Sequence, residues 1–156
     1  MIEAPPGINL WDPGWRPDAI VITTNGTVNS SGRAVMGRGC ALEAKQRVED
    51  IDLTFGRLLR KHGSRVVVII PMYNYRPVHI GTCAIVSFPV KRHWREDADL
   101  ELIERSVGEL LELSEEYGWR TVVMPRPGCG AGKLSWDTVR PLLANQLDDR
   151  FTVVSL

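Results

Sequence analysis

The fold of this chain is decided by two glycine-rich stretches, MGRGCA at residues 36–41 and PGCGAG at residues 127–132. Each stretch follows a β-branched apolar run and precedes a segment whose apolar residues have helical spacing. In a turn of this kind the backbone N–H groups, together with those of the first helical turn behind it, attract anions. Two such turns in one chain of 156 residues predict a diphosphate group that is held from both sides.

Strands and helices alternate along the rest of the sequence. Apolar, β-branched runs predict strands over residues 19–24, 65–70, 81–88, 121–124 and 151–154. Helical spacing predicts helices over residues 39–49, 52–61, 97–118 and 135–147, the last with Ser135 as its N-cap. The run at 65–70 is typical of a strand covered on both faces, and we expect Pro71 and Pro89 to end their strands.

This alternation predicts one domain over residues 1–156, an α/β fold in the form of a three-layer α/β/α sandwich with a mixed, mostly parallel central sheet. In such sheets ligands bind in the crevice beyond the carboxyl ends of the strands. Both glycine-rich stretches are expected at that end of the sheet.

Composition excludes several classes of protein. Hydrophobic residues make up 44% of the chain, and 19 basic residues balance 19 acidic ones, so the broad basic surface of a protein that tracks nucleic acid by charge is absent. A local basic-aromatic cluster, KRHWR at residues 91–95, still allows a nucleic-acid contact. We expect a cytoplasmic monomer, because no signal peptide and no apolar stretch of membrane-spanning length occurs.

The cysteine and histidine spacings predict neither a disulfide framework nor a metal site. The three cysteines are Cys40, Cys83 and Cys129, and the three histidines are His62, His79 and His93. No pair has the spacing of zinc ligands, and more than forty residues separate neighbouring cysteines. We therefore expect no metal and no cofactor.

Two common phosphate-binding motifs do not fit. A Walker loop ending at Lys133 would need a glycine where Pro127 stands and a hydroxyl residue where Leu134 stands. The dinucleotide-binding fingerprint G-x-G-x-x-G fails as well. The position of its third glycine is occupied by Leu42 in the first stretch and by Lys133 in the second. Nucleotide triphosphate hydrolysis and dinucleotide-dependent oxidation are disfavoured. The alternative interpretation of the glycines is that they only make tight turns and close helix–sheet contacts.

The motifs, taken in order, resemble the macro domain family. VITTN at 21–25, VMGRGCA at 35–41 and MPRPGCGAGKLSW at 124–136 look like its two loops and the strands that precede them. SFPVKRHWR at 87–95 is similar to a segment of one subgroup. That subgroup contains antitoxin hydrolases that remove ADP-ribose from DNA and an animal enzyme that removes it from acidic side chains. The resemblance runs from about residue 7 to the end of the chain.

The resemblance implies a ligand, ADP-ribose, and a set of binding residues. The diphosphate would lie against Met36, Gly37, Arg38, Gly39, Cys40, Gly128, Cys129, Gly130, Ala131 and Gly132. Asn9 matches the residue that reads adenine, although it also suits a turn cap. Asn25 matches the asparagine that holds the distal ribose, although Asn25-Gly26 is equally a turn signal. Cys129 would contribute its backbone amide, not a nucleophilic thiol.

Lys91 is the catalytic residue that the resemblance implies. Its amine can attack the aldehyde of a ring-opened ribose, or stabilise charge as the glycosidic bond breaks. Either role gains from a pKa lowered by burial or by a neighbouring cation, for which Arg92 is the candidate in the sequence. The alternative is an ordinary exposed lysine at the end of a strand.

The residues after Lys91 are candidates for a nucleic-acid contact. Trp94 can stack on a base, and Arg92 or Arg95 can hold a phosphate. The alternative for Trp94 is a packed anchor for the following helix, and Trp136 is expected in the core.

Two departures from the family pattern bear on the substrate. Gly132 stands where the enzyme acting on acidic side chains has an aspartate, which disfavours a mechanism that needs that carboxylate. Ile22 replaces the usual first asparagine at the end of the first strand, and the loop at 26–33 is lengthened.

The sequence therefore predicts a hydrolase that removes ADP-ribose from a macromolecule, most plausibly from a DNA base such as thymidine. The alternatives are a non-catalytic ADP-ribose reader and a phosphatase acting on ADP-ribose 1″-phosphate.

Overall fold

The computed structural model describes residues 1–12, 14, 16–74 and 82–155. Its strands are β1 (Ile2–Glu3), β2 (Ala19–Asn25), β3 (Val68–Asn74), β4 (Thr82–Lys91), β5 (Val122–Pro125) and β6 (Phe151–Val154). Its helices are α1 (Gly39–Arg47), α2 (Ile51–His62), α3 (Leu100–Tyr117) and α4 (Trp136–Ala144). His79 and the expected strand start at residue 81 lie outside the described residues.

The six strands form one mixed sheet in the order β1-β6-β5-β2-β4-β3. Every neighbouring pair is parallel except β3 and β4, which are antiparallel. The central strands β2 and β5 are built of β-branched and other apolar residues because both of their faces are covered. Parallel pairing brings the carboxyl ends of β2, β4 and β5 to the same end of the sheet.

Side chains alternate between two hydrophobic cores, one on each face of the sheet. Val21, Val86 and Phe88 pack with the apolar faces of α3 and α4. Ile20 and Ile85 pack on the other face against residues of α1 and α2. Helices therefore cover both faces, and the three-layer α/β/α sandwich predicted from the sequence is confirmed.

The long helix α3 begins and ends at residues whose side chain or backbone suits a helix end. The Asp99 side chain accepts hydrogen bonds from the backbone N–H groups of Glu101 and Leu102, so the helix begins at Leu100 and not at residue 97. Gly118 ends it in the left-handed region, with φ of 66°. The predicted N-cap of α4 is confirmed, since the hydroxyl of Ser135 accepts from the backbone N–H of Thr138.

Two predictions about prolines are wrong. β3 is an edge strand that begins at Val68 and continues through Pro71, because an edge strand tolerates a residue without an N–H. The predicted cover on both faces is confirmed for the run itself, since Val68 packs against one core and Ile69 against the other, whereas residues 71 and 72 are exposed. β4 continues through Pro89 to Lys91. The pairing of β3 with β4 extends along β4 only as far as Val86, so beyond it one side of β4 lacks a paired strand and proline is tolerated there.

The two-residue strand β1 was not predicted, since it is too short to show an alternating pattern. Its side chain Glu3 accepts hydrogen bonds from Trp136 and Arg140 and thereby joins the sheet edge to α4. Trp136 is half-buried against the core on that face. No helix in the described ranges is long and apolar enough to cross a membrane.

Candidate functional site

A cleft of about 390 Å³ opens at the carboxyl ends of the central strands. Four segments line it: the end of β2, the first glycine-rich stretch, the end of β4 and the second glycine-rich stretch. From the sequence-predicted ligand set it includes Met36, Gly37, Arg38, Gly39, Cys40, Gly128, Gly130, Ala131 and Gly132. The two glycine-rich stretches, about ninety residues apart in sequence, therefore face one space.

The first turn of α1, residues 39–41, lines this cleft, and the N–H groups of a first helical turn have no partner within the helix. Arg38 is the N-cap residue, and its side chain offers no acceptor to the first turn. The first turn also contains no acidic residue, so nothing within the helix neutralises the positive end of its dipole. This is the arrangement that binds phosphate or carboxylate groups in proteins.

The glycines of the two stretches fall into two groups, according to whether a side chain at that position would meet other atoms of the protein. A Cβ atom built on Gly37, Gly39 or Gly130 meets no described protein atom within 4 Å, although the φ of 54° at Gly39 is a left-handed conformation that by itself favours glycine. A Cβ on Gly132 would lie 2.6 Å from the carbonyl oxygen of Gly128. The first group leaves backbone open to a ligand, whereas Gly128 and Gly132 are needed for packing.

The end of β2 is aligned with the end of β4 by an irregularity in the ladder. Thr24 pairs with Pro89, but the next residue, Asn25, pairs with Lys91, so one residue of β4 is skipped. This bulge brings Asn25 and Lys91 opposite each other on neighbouring strands, and both line the cleft. The two candidate catalytic residues are thus brought together by strand register.

Lys91 is half-buried, and its Nζ donates a hydrogen bond of 3.1 Å to the backbone carbonyl of Glu96. Burial and then the charge of Arg38 lower the pKa of Lys91. The charge of Lys133 acts in the same direction, while Asp97 and Glu96 oppose it. Lys91 is therefore not an ordinary exposed lysine.

Arg92 is not the cation that acts on Lys91, contrary to the sequence prediction. Its guanidinium forms an ion pair with Asp99, the N-cap residue of α3. The Asp99 carboxylate thus both caps α3 and pairs with Arg92. The pKa of Asp99 is lowered chiefly by the hydrogen bond from Arg92. The lowering of the Lys91 pKa comes first from burial and then from the charge of Arg38 in the first glycine-rich stretch.

The side chain of Asn25 organises the loop that follows it. Its Nδ2 donates to the carbonyl of Val35 at 2.9 Å, and its Oδ1 accepts from the backbone N–H of Thr27 at 2.9 Å. The turn interpretation of Asn25-Gly26 is thus realised, and the residue still lines the cleft. A ribose contact would use the second N–H of the amide and the second lone pair of its oxygen.

The basic-aromatic turn forms the lip of the cleft beyond Lys91. Trp94 is 42% exposed, lines the cleft, and donates its backbone N–H to the hydroxyl of Thr27. The guanidinium of Arg95 lies 4.8 Å from the centre of the Trp94 ring. Trp94 is therefore not a buried anchor for α3. Together with Arg95 it forms a cation–aromatic pair at the edge of the cleft.

Asn9 and Cys129 are not among the residues that line the cleft. The side-chain Oδ1 of Asn9 accepts a hydrogen bond from the backbone N–H of Trp11 at 2.8 Å, which is the turn-cap arrangement. Burial raises the pKa of the Cys129 thiol, which suits the expectation that this residue is not a nucleophile. Burial likewise raises the pKa of Cys40, whose sulfur lies 3.2 Å from the hydroxyl of Thr23.

Arg126 also lines the cleft and was missed by the sequence reasoning. Its guanidinium lies 4.9 Å from the centre of the Trp136 ring and 3.6 Å from the carboxylate of Glu3. A basic residue directly before Pro127-Gly128 was the available signal. No cluster of three or more His, Cys, Asp or Glu side chains suited to a metal ion occurs among the residues that the structure describes.

Comparison with known proteins agrees with this geometry. The model of the family described as Macro domain matches residues 26–143, which include both glycine-rich stretches and Lys91. The chain belongs to the macro domain family. The match covers β3, β4 and β5 and all but the last residue of α4.

The relatives with assigned names are larger than this chain. The DNA ADP-ribosyl glycohydrolase of Mycobacterium tuberculosis is 32% identical over 132 residues, which cover 82% of this chain and 36% of that protein. The DNA ADP-ribosyl glycohydrolase of Thermus aquaticus is 30% identical over 122 residues, or 78% of this chain and 33% of that protein. The chain therefore spans about a third of the length of these relatives.

Solved structures show the same fold. The macrodomain of Mycobacterium tuberculosis DarG is 27% identical, with a TM-score of 0.78 over 99% of this chain and 97% of that chain. Thermosipho africanus DarTG in complex with ADP-ribose is 21% identical, with a TM-score of 0.74 over 90% of this chain and 38% of that chain. The second likeness concerns the fold alone.

Proposed function

We propose that this macro domain binds ADP-ribose and hydrolyses its bond to a modified macromolecule, with a DNA base such as thymidine as the acceptor. The observation that carries the proposal is the pairing of Asn25 with Lys91 at the end of a cleft whose other walls are an open helix N-terminus and backbone-exposing glycines. The names of the relatives support the choice of reaction.

The diphosphate would lie between the α1 N-terminus and the second glycine-rich stretch. Gly37, Gly39 and Gly130 leave room there for phosphate oxygens to approach the backbone. The positive end of α1 and the guanidinium of Arg38 supply the matching charge. For Asn9 to read adenine through its side-chain oxygen, that oxygen would have to share or give up its hydrogen bond from the Trp11 backbone N–H.

The distal ribose would lie between Asn25 and Lys91. In hydrolysis the bond between the anomeric carbon and the acceptor breaks and its electron pair leaves with the acceptor; water supplies a hydroxyl to the anomeric carbon and a proton to the acceptor. Lys91 has two roles available. As a cation it stabilises the leaving electron pair and can supply the proton that the acceptor gains; as a free amine it forms a bond to the anomeric carbon as the bond to the acceptor breaks, and water then replaces the lysine. Its lowered pKa places a larger fraction of free amine near neutral pH than an exposed lysine has.

A carboxylate mechanism in the second glycine-rich stretch is disfavoured by packing as well as by sequence. Any side chain at position 132 would strike the carbonyl of Gly128 and the Cβ of Ala98, which lies 2.7 Å from the position of a Cβ. The proposed enzyme therefore differs from one that carries aspartate there.

Trp94, Arg95 and Arg92 would contact the acceptor. Trp94 is exposed beside the end of the cleft where Lys91 lies, which suits stacking on a nucleobase next to the modified one. Arg92 is held by Asp99, so Arg95 is the freer of the two to contact a backbone phosphate.

A panel of three substrates tests the reaction class. Wild-type protein would be incubated with an ADP-ribosylated thymidine oligonucleotide, with a peptide carrying ADP-ribose on glutamate, and with ADP-ribose 1″-phosphate. We expect the oligonucleotide to lose the mass of ADP-ribose fastest. Release of inorganic phosphate alone would identify the phosphatase, and binding of ADP-ribose without turnover of any substrate would identify a reader.

A further inference from the structure

A short segment, residues 96–99, connects Lys91 to the second glycine-rich stretch. The carbonyl of Glu96 accepts the hydrogen bond from Lys91 Nζ, and the backbone N–H of Ala98 donates to the carbonyl of Gly132 at 3.0 Å. The residue between these two contacts is Asp97. By covalent geometry alone its Cα lies within about 6 Å of Lys91 Nζ, one peptide unit beyond the accepting carbonyl.

The carboxylate of Asp97 is anchored across the site by Lys133. Its Oδ1 lies 2.7 Å from Lys133 Nζ, although the two side chains are 62% and 74% exposed. An exposed ion pair of this kind contributes at most about 1 kcal/mol to folding. Lys133 also has a φ of 64°, a left-handed conformation that costs a non-glycine residue free energy. Stability therefore does not explain why this pair is here.

Four charged side chains act on Lys91 in the unliganded site. The cations are Arg38, at the start of α1, and Lys133, directly after the second stretch. Asp97 and Glu96 are the anions, and both belong to the connecting segment. The Glu96 carboxylate accepts from the backbone N–H of His93 at 3.1 Å. Of the two carboxylates, Asp97 is thus the one that is held by another segment, through its ion pair with Lys133.

We propose that Asp97 is a positioning residue for Lys91: pinned by Lys133, its carboxylate holds positive charge on the Lys91 amine in the resting site. An anionic substrate group that draws Lys133 away would change that charge at the moment of binding. The part of this inference that concerns turnover rests on the proposed function, whereas the part that concerns the free protein does not.

The test measures the protonation of Lys91 directly in the unliganded protein. The chain contains four lysines, Lys45, Lys61, Lys91 and Lys133, so the Cε resonances of ¹³C-labelled lysine can be followed individually through a pH titration. The Lys91 signal is assigned by its loss in Lys91→Arg. The variants are Asp97→Asn and Lys133→Asn, because asparagine tolerates the left-handed conformation at position 133.

The two variants are expected to move the Lys91 titration in opposite directions. Asp97→Asn should lower the pKa of Lys91, and Lys133→Asn should raise it. Glu112→Gln, an exposed change on α3, is the matched control and should leave it in place. A titration unmoved by Asp97→Asn, or moved the same way by both variants, would overturn the inference. An unchanged amide spectrum away from residues 91–99 and 132–134 shows that each variant is folded.

Turnover then separates the two roles of Lys91. If the cation does the chemistry, Asp97→Asn shifts the alkaline limb of the pH–rate profile to lower pH. If the free amine does it, the acid limb shifts to lower pH and turnover near neutral pH rises. A protein with the expected titrations but without turnover would contradict the proposed function and leave the charge relation intact.

Discussion

Alanine substitutions at Gly130 and Gly132 should affect different properties although the positions are only two residues apart: the first should weaken ADP-ribose binding and the second should lower stability. A Cβ at 130 meets nothing within 4 Å, so we expect Gly130→Ala to change the free energy of unfolding by less than about 0.5 kcal/mol. A Cβ at 132 would lie 2.6 Å from a carbonyl oxygen and 2.7 Å from the Cβ of Ala98. Overpacking of this kind costs about 1–3 kcal/mol, or roughly 2–4 °C of melting temperature for each kcal/mol.

Binding should follow the reverse order. If the diphosphate approaches the backbone at Gly130, the added methyl group occupies the space of a phosphate oxygen, and ADP-ribose affinity should fall about tenfold or more, or roughly 1.4 kcal/mol. Thermal denaturation and isothermal titration calorimetry with ADP-ribose measure the two effects separately. Wild-type affinity in Gly130→Ala would refute the assignment of this glycine to the ligand. A melting temperature equally low in both variants would refute the structural distinction.

Three further predictions concern stability and substrate choice. Asp52→Asn should cost about 2–3 kcal/mol, because the buried carboxylate pairs with Arg33 at 2.7 Å and Lys45 at 3.0 Å. Burial raises the pKa of Asp52, but hydrogen bonds from these two partners outweigh it and hold the pKa below its usual value. Its stabilisation is therefore complete above about pH 4 and is lost as pH falls through the lower folded pKa, so denaturant unfolding of the two proteins should converge in acid. Ser135→Ala should lower the free energy of unfolding by about 1 kcal/mol through the lost cap of α4, and an unchanged denaturation midpoint would contradict that cap. Trp94→Ala should leave ADP-ribose affinity within about twofold but raise KM for an ADP-ribosylated oligonucleotide about tenfold, and equal losses for both ligands would remove the residue from acceptor binding.

The sequence was sufficient for the features that depend on local pattern. The β-branched runs, the helical periodicity of residues 97–118 and the cap at Ser135 predict elements that the structure contains, with boundaries shifted by a few residues. Pro71 and Pro89 misled the prediction because whether a strand tolerates proline depends on its neighbours in the sheet. That information is tertiary and is not present in a local stretch of sequence.

The site was predicted in its composition but not in its arrangement. The resemblance pointed to Asn25 and Lys91, yet their alignment depends on a bulge between Thr24 and Asn25 that no pattern in either strand announces. Arg92 is the cation next to Lys91 in sequence, but Arg38 is the cation that acts most strongly on Lys91, because α1 begins at the same cleft. Charges brought together by different elements have to be seen in three dimensions.

The measurement that tests the central claim most directly is a single-turnover time course with an ADP-ribosylated thymidine oligonucleotide, followed by mass spectrometry. Wild type, Lys91→Ala and the control Lys61→Ala would be compared, with Lys61 chosen as an exposed lysine near the end of α2. The account predicts loss of the ADP-ribose mass with wild type and Lys61→Ala, and none with Lys91→Ala despite retained ADP-ribose binding. Equal cleavage by all three proteins would remove Lys91 from the chemistry, and an unchanged mass with wild type would contradict the DNA-directed reaction.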